Sequence, residues 1–263
     1  MELSKVNEYL NRYLRPQSHP IALRMCLPGE ELPTNARMPG HNFDLSLSVC
    51  HAMTMTRRYG WTMAVDRNQT CWVAAIGLGF VPFRDDVADG TFQTKLGLWK
   101  HDKEQAADLV NSLSRLEYGL YDRVLTAPLE KAEFEPQVIL VYGNPAQIWI
   151  LVASYLFNQH ISTLDATLSL GAGCVTYIAK VLNTDMPQFG LVGIGERFHN
   201  AQDHECVMAI PMSKIDAFME GLAYVNKSGF IKYPVLGFLR YDTEHPKGYR
   251  QMLDHLRGSE KTS

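Results

Sequence analysis

VILVYGNP, Val138 to Pro145, joins an uninterrupted apolar run to a polar corner, and its reading sets the class of fold. Five aliphatic, β-branched or aromatic residues in a row suit a strand covered on both faces. Asn144 can then accept from the free N–H groups of a helix's first turn, and Pro145 fits the first helical position, where a missing N–H costs nothing. The helix that follows is expected to reach about Phe157. Trp149, Tyr155 and Phe157 could line a cofactor pocket on it, but an amphipathic core helix is the better account of them. A strand that turns directly into a helix is the alternation of an α/β fold.

Working toward the N-terminus, the same alternation recurs. Leu3, Val6, Leu10, Tyr13 and Leu14 share one face of a first helix, which must stop near Arg15 because Pro16 follows. Ile21 to Met25 reads as a strand, Ser48 caps a helix ending at Gly60, and Trp61 to Val65 is the next strand. Asp102 caps a helix whose apolar positions run from Ala106 to Leu116, and this helix is expected to link two halves of the chain. Working toward the C-terminus, Ala166 to Leu170 and Phe189 to Ile194 read as strands around a helix from Val175 to Leu182. Cys206 to Ile210 is a strand, Ser213 caps a helix through Tyr224, and Phe230 to Leu239 holds one or two more strands. Residues beyond about Thr243 read as polar and peripheral.

Laid side by side, the two halves share a pattern. Each has a short apolar segment leading into a cysteine at a helix start, LSLSVC ending at Cys50 and LSLGAGC ending at Cys174. Each then carries a helix, a strand and a glycine turn, GLGF from Gly77 and GIGER from Gly193. The expected architecture is therefore α/β, with two similar α/β halves, about 17–100 and 135–225, built on mixed sheets around a shared core in one unit spanning 1–263.

Composition narrows the function. A net charge of −3 with scattered basic residues leaves no excess to neutralise phosphates, so nucleic acid is a poor partner. Only Arg57 and Arg58 are adjacent. No apolar run reaches the roughly 20 residues of a membrane helix, and MELSKVNEYLNRYL lacks the apolar stretch of a signal peptide, so a cytoplasmic protein is expected. A homo-oligomer is compatible with this composition but not argued by it. Five cysteines are too few and odd in number for a disulfide framework in 263 residues.

Cys50 and Cys174 stand out because each falls in the first turn of an expected helix, where free N–H groups favour the thiolate that binds metal or attacks an electrophile. Cys71 follows a polar turn beside Trp72. Nothing here has the two-to-four-residue spacing of a zinc ribbon or ferredoxin, and an ordinary buried thiol is the plain alternative for each. Cys26 and Cys206 fall in strands and read as core. GLGF and GIGER lack the full dinucleotide-binding pattern, and neither a phosphate-binding loop nor a G-x-S-x-G turn occurs. The histidines of HPIALRM (19–25) and DTEHPK (242–247) have no partner four residues on.

HPIALRM, Cys50 with its helix to Gly60, Cys71 before AAIGLGF, NPAQ at 144–147, Cys174 and GIGER together resemble the domain of unknown function 169 family, from about Val6 to Phe218. The resemblance implies an archaeal or anaerobic-bacterial type of protein whose recurrent cysteines are Cys50, Cys71 and Cys174 here. Where that pattern tends to place another cysteine, shortly before the late glycine and arginine, this chain has Gly193 to Arg197 without one.

Three thiolates would hold a [4Fe–4S] iron–sulfur cluster with one iron left for a substrate, or closed by His51, Glu196 or His204. Arg197 could hold an anionic group. The leading expectation is a metal-binding protein with Cys50, Cys71 and Cys174 as cofactor ligands, acting in redox chemistry or substrate activation with a small molecule or a redox partner. Two alternatives stay open. One is an enzyme with a nucleophilic Cys50 or Cys174, with His51 adjacent to the first; the other is a metal-free binding module or partner subunit.

Overall fold

The computed structural model describes residues 1–42, 47–97, 102–168, 173–228, 233–234 and 247–259. Six strands form one sheet: β1 (Ile21–Cys26), β2 (Met63–Asp66), β3 (Arg123–Pro128), β4 (Val138–Gly143), β5 (Gln188–Leu191) and β6 (Cys206–Pro211). Their order is β2-β3-β1-β4-β6-β5, and every pairing between them is antiparallel. The α/β class holds, but a single antiparallel sheet stands where mixed sheets were expected. The reason is β3. β1 and β2 do run parallel to each other, as a strand–helix–strand crossover requires, yet β3 lies between them and pairs antiparallel with both. β6 does the same between β4 and β5.

The sequence reading passed over β3. RVLTAP opens on Arg123 and closes on Pro128, so its apolar centre is short. That centre is nevertheless buried from Val124 to Pro128. Read outward from the β1–β4 seam, both halves of the sheet run first strand, third strand, second strand.

The helices follow in chain order: α1 (Leu3–Tyr9, extended by a π turn at Leu10–Leu14), α2 (Val49–Tyr59), α3 (Trp72–Gly77) and α4 (Lys103–Asn111). Then come α5 (Pro145–Gln159), α6 (Gly173–Val175, continuing as a π turn at Thr176–Lys180 and ending at Val181–Thr184), α7 (Ile194–Phe198), α8 (Ile215–Ser228) and α9 (Lys247–Ser259). Short helical turns lie at Pro39–Asn42, Asp85–Ala88 and Thr91–Lys95.

The corner at Asn144 forms as its residues dictate. Its side chain accepts from Gln147 N at 3.0 Å while Gln147 Oε1 accepts from Asn144 N at 2.9 Å. GIGER is not a bare turn but the start of α7, and the strand before it stops at Leu191. Ser213 lies in a 3₁₀ turn and donates to Asp185 Oδ1 at 2.5 Å rather than capping α8. Residues 166–168 are not strand; the rest of the strand expected to Leu170, and the strands expected within Phe230 to Leu239, lie outside the described residues. α9 is a helix with an exposed surface where a polar periphery was expected.

Alternation along the strands divides the core into two layers. Ile21, Leu23, Met25, Val138, Leu140 and Tyr142 face a cluster shared with α2, α3 and α6. Ala22, Ile139, Val141, Cys206, Met208 and Ile210 face the opposite cluster, under α1, α5 and α8. α5 and α8 pack so closely that a Cβ on Gly221 would lie 2.0 Å from Ser154 O.

Candidate cysteine site

Three of the five cysteines meet on the first of these faces. Ser48 Oγ accepts from His51 N at 3.2 Å and fixes the start of α2, so Cys50 sits in its first turn as the cap predicts. Cys71 is the residue before α3, and Cys174 lies in the first turn of α6. The Cys174 thiol adjoins that of Cys50, and Cys71 lies close enough to feel charge at Cys50 and for its own charge to be felt at Cys174. Cys50 and Cys174 are buried; Cys71 is exposed.

Two glycines allow this convergence. A Cβ on Gly77 of α3 would fall 2.5 Å from Val175 Cγ2, so α3 approaches α6 through that glycine. A Cβ on Gly195 of α7 would lie 3.0 Å from Cys50 Sγ, which brings the first turn of α7 against the thiols.

Cys26 and Cys206 take no part. β1 and β6 point them to the opposite side of the sheet, into separate apolar clusters. Burial, with Glu30 nearby, pushes the Cys26 thiol up to about 11.

The helix starts were expected to favour thiolates at Cys50 and Cys174, but the surroundings of Cys174 oppose one. Its thiol is pushed far above its usual range by the adjoining Cys50 side chain, by burial and by the nearby Cys71 and Glu196. Cys71 is raised by desolvation and by Cys50, against backbone N–H groups at the start of α3 that pull the other way. The hydroxyl of Thr70, the residue before Cys71, is buried without a hydrogen-bond partner among the described residues. A buried unpaired donor costs roughly 1–3 kcal/mol.

A chain of buried polar groups backs the thiols. Glu196 is 2% exposed; its Oε1 accepts from Tyr142 Oη at 2.5 Å and its Oε2 from Gly193 N at 2.9 Å. Burial raises the Glu196 carboxyl despite these bonds and the charge of Arg57. The Arg57 guanidinium lies 4.3 Å from the Tyr142 ring centroid and binds Glu205 at 2.6 Å and 3.0 Å, while Arg58 reaches the same carboxylate at 2.6 Å.

Of the side chains considered for closing a fourth position, Glu196 is held by Tyr142 and Gly193, and His204 is exposed. His51 stacks on His199 at 4.4 Å between ring centroids, with burial lowering the pKa of both. Arg197 pairs with the exposed Asp203 at 2.7 Å. Tyr142, His199 and Glu205 were not singled out from the sequence. The one signal in that direction was the adjacent pair Arg57 and Arg58.

Among the described residues, no group of three His, Cys, Asp or Glu side chains is drawn together around a point that could hold a single metal ion. Also among the described residues, no helix is long and apolar enough to cross a membrane.

The sequence profile of the domain of unknown function 169 family, described as uncharacterised ArCR, matches residues 9–221. The chain is 25% identical over 213 residues to the uncharacterized protein MJ0308 of Methanocaldococcus jannaschii, an alignment covering 79% of this chain and 88% of that protein. No solved structure matches.

Proposed function

The chain belongs to the domain of unknown function 169 family, and from that premise we propose that it is a reducing-compartment, cytosolic iron–sulfur protein whose cluster is held by Cys50, Cys71 and Cys174. The observation that carries this is the close approach of the Cys50 and Cys174 thiols, contributed by opposite halves of the sheet, with Cys71 within electrostatic reach of both.

Three acidic sulfurs set side by side repel one another as thiolates. A cationic centre removes that repulsion, and metal binding releases their protons. Zinc would need all its ligand sulfurs about 3.8 Å apart, from bonds of about 2.3 Å at tetrahedral angles, an arrangement that these side chains do not make with any third ligand. A cluster, if bound, would be held by the thiolates of Cys50, Cys71 and Cys174. The unpaired Thr70 hydroxyl supports this reading, because an inorganic sulfide is an acceptor such a donor lacks. When bound, such a cluster supplies one-electron chemistry and Lewis acidity at iron.

For Cys174 the nucleophile alternative loses ground: a reactive cysteine needs a lowered pKa, whereas burial and its neighbours raise this thiol.

Anaerobic purification followed by iron and acid-labile sulfide analysis tests the proposal. A brown protein with broad visible absorption is expected, and Cys50→Ser, Cys71→Ser and Cys174→Ser should each remove most of that absorption. An iron-free wild type after reconstitution with iron and sulfide, or three serine variants that all keep full absorption, would overturn it.

A further inference from the structure

Of the three clustered cysteines, two stand at matching positions in the two halves of the sheet and the third has no counterpart. Cys50 is the second residue of α2, which leads to the edge strand β2, and Cys174 is the second residue of α6, which leads to the edge strand β5. Each edge strand leads to a short α-helix, directly in the second half and after a 3₁₀ turn at Arg67–Gln69 in the first. The residue before the first is Cys71 at φ −74°, ψ 159°, and the residue before the second is Gly193 at φ −80°, ψ 178°. Gly193 therefore stands where symmetry with Cys71 would put a fourth thiol.

Nothing in the backbone demands glycine there. Its φ is one that any residue adopts, and the atoms nearest an added Cβ would be Gly173 N at 3.5 Å and Glu196 Oε2 and Gly173 Cα at 3.8 Å, ordinary contacts. The position adjoins the thiols, since Gly173 precedes Cys174 and Gly195 abuts Cys50 Sγ. It also opens outward. Gly173, Tyr177, Gly190, Gly193 and Arg197 line a cavity of about 230 Å³.

We infer that Gly193 leaves the fourth corner of the site open to this cavity, so that one iron carries no protein ligand and takes a small exchangeable anion, with Arg197 on the cavity wall as its counter-charge. The inference rests on the cluster proposed above. An anion is the fitting class because the guanidinium lies on the lining and, among the described residues, has only an exposed aspartate as partner.

Mild ferricyanide oxidation tests the open corner. It takes one electron from a [4Fe–4S]2+ core, and the iron without a thiolate leaves as Fe2+, giving the paramagnetic [3Fe–4S]+ form seen by electron paramagnetic resonance. Wild type should convert readily. Gly193→Cys, which supplies the missing thiolate, should convert at least tenfold more slowly, and Gly193→Ala, which adds a methyl group where there is room, should convert as wild type does. Azide, an anion at neutral pH, should perturb the reduced wild-type spectrum, should not perturb that of Gly193→Cys, and should bind Arg197→Gln about three- to tenfold more weakly. A wild-type cluster that resists conversion and ignores azide would overturn the open corner while leaving the cluster standing. A wild type that binds no iron would overturn the cluster itself.

Discussion

Arg57 and Glu205 are 1% and 5% exposed at their side chains and meet through two short hydrogen bonds, so neither can lose its partner cheaply. Glu205→Ala would leave Arg57 charged and buried, with an expected loss of about 3–5 kcal/mol of unfolding free energy, measurable by urea titration. The pair also sets a pH dependence. Burial alone would raise Glu205, but the hydrogen bonds from Arg57 and Gln202 and the charges of Arg57 and Arg58 outweigh it and hold the carboxyl below its usual value. Its stabilising effect is therefore complete above the ordinary glutamate pKa and is lost as pH falls below it toward the depressed folded value. Urea midpoints should fall over that acid range in wild type and fall less in Glu205→Gln. None of this was legible in the sequence, because 148 residues separate the partners and both types are common on surfaces. The cysteines were legible for the opposite reason: there are five in 263 residues, and two fall in the first turn of a helix whose start the local residues disclose.

Elements carry the thiols to one another, and two substitutions test that carriage. Ser48→Ala removes the side-chain cap of α2 at an expected cost of about 1 kcal/mol. Because Cys50 is in that first turn, cluster occupancy should fall along with thermal stability. Gly77→Ala forces a methyl group against Val175, 2.5 Å from Cγ2, and must push α3 off α6. The expected cost is about 1–3 kcal/mol, and the displacement separates Cys71 from Cys174. Iron content in Gly77→Ala should drop more than its loss of stability alone explains, as a comparison with Gly221→Ala, a clash far from the thiols, would reveal. Helix ends were the most readable part of the chain: Ser48, Asp102 and Asn144 all accept at helix starts, and Gly60 closes α2 in the left-handed conformation. Those signals are local hydrogen bonds. Whether GIGER starts a helix was not local, since α7 forms around a glutamate that reaches back to Gly193 and forward to Tyr142 on a strand 54 residues away.

For the molecule as a whole, the α/β class was visible, but the strand order was not. It depends on β3, whose burial comes from β1 and β2 on either side rather than from its own short apolar centre. The seam between halves is thin, with β1 and β4 registered over three residues, Ile21 to Leu23 against Leu140 to Val138. A cluster bridging Cys50 and Cys71 from one half to Cys174 from the other would staple that seam. Binding at a hundredfold excess over Kd adds about 2.7 kcal/mol. Removing the cluster with a chelator should then lower Tm by roughly 5–10 °C, and calorimetry of loaded and stripped protein checks it.

The three sulfurs stand at positions 50, 71 and 174, and the edge strand that follows Cys174 is anchored by β6, which ends at Pro211. No growing chain can present the complete trio until that last strand has left the ribosome and docked. On the proposed cluster reading, a donor of iron and sulfide would meet a finished fold rather than a nascent peptide, with the exposed thiol of Cys71 as its side of approach.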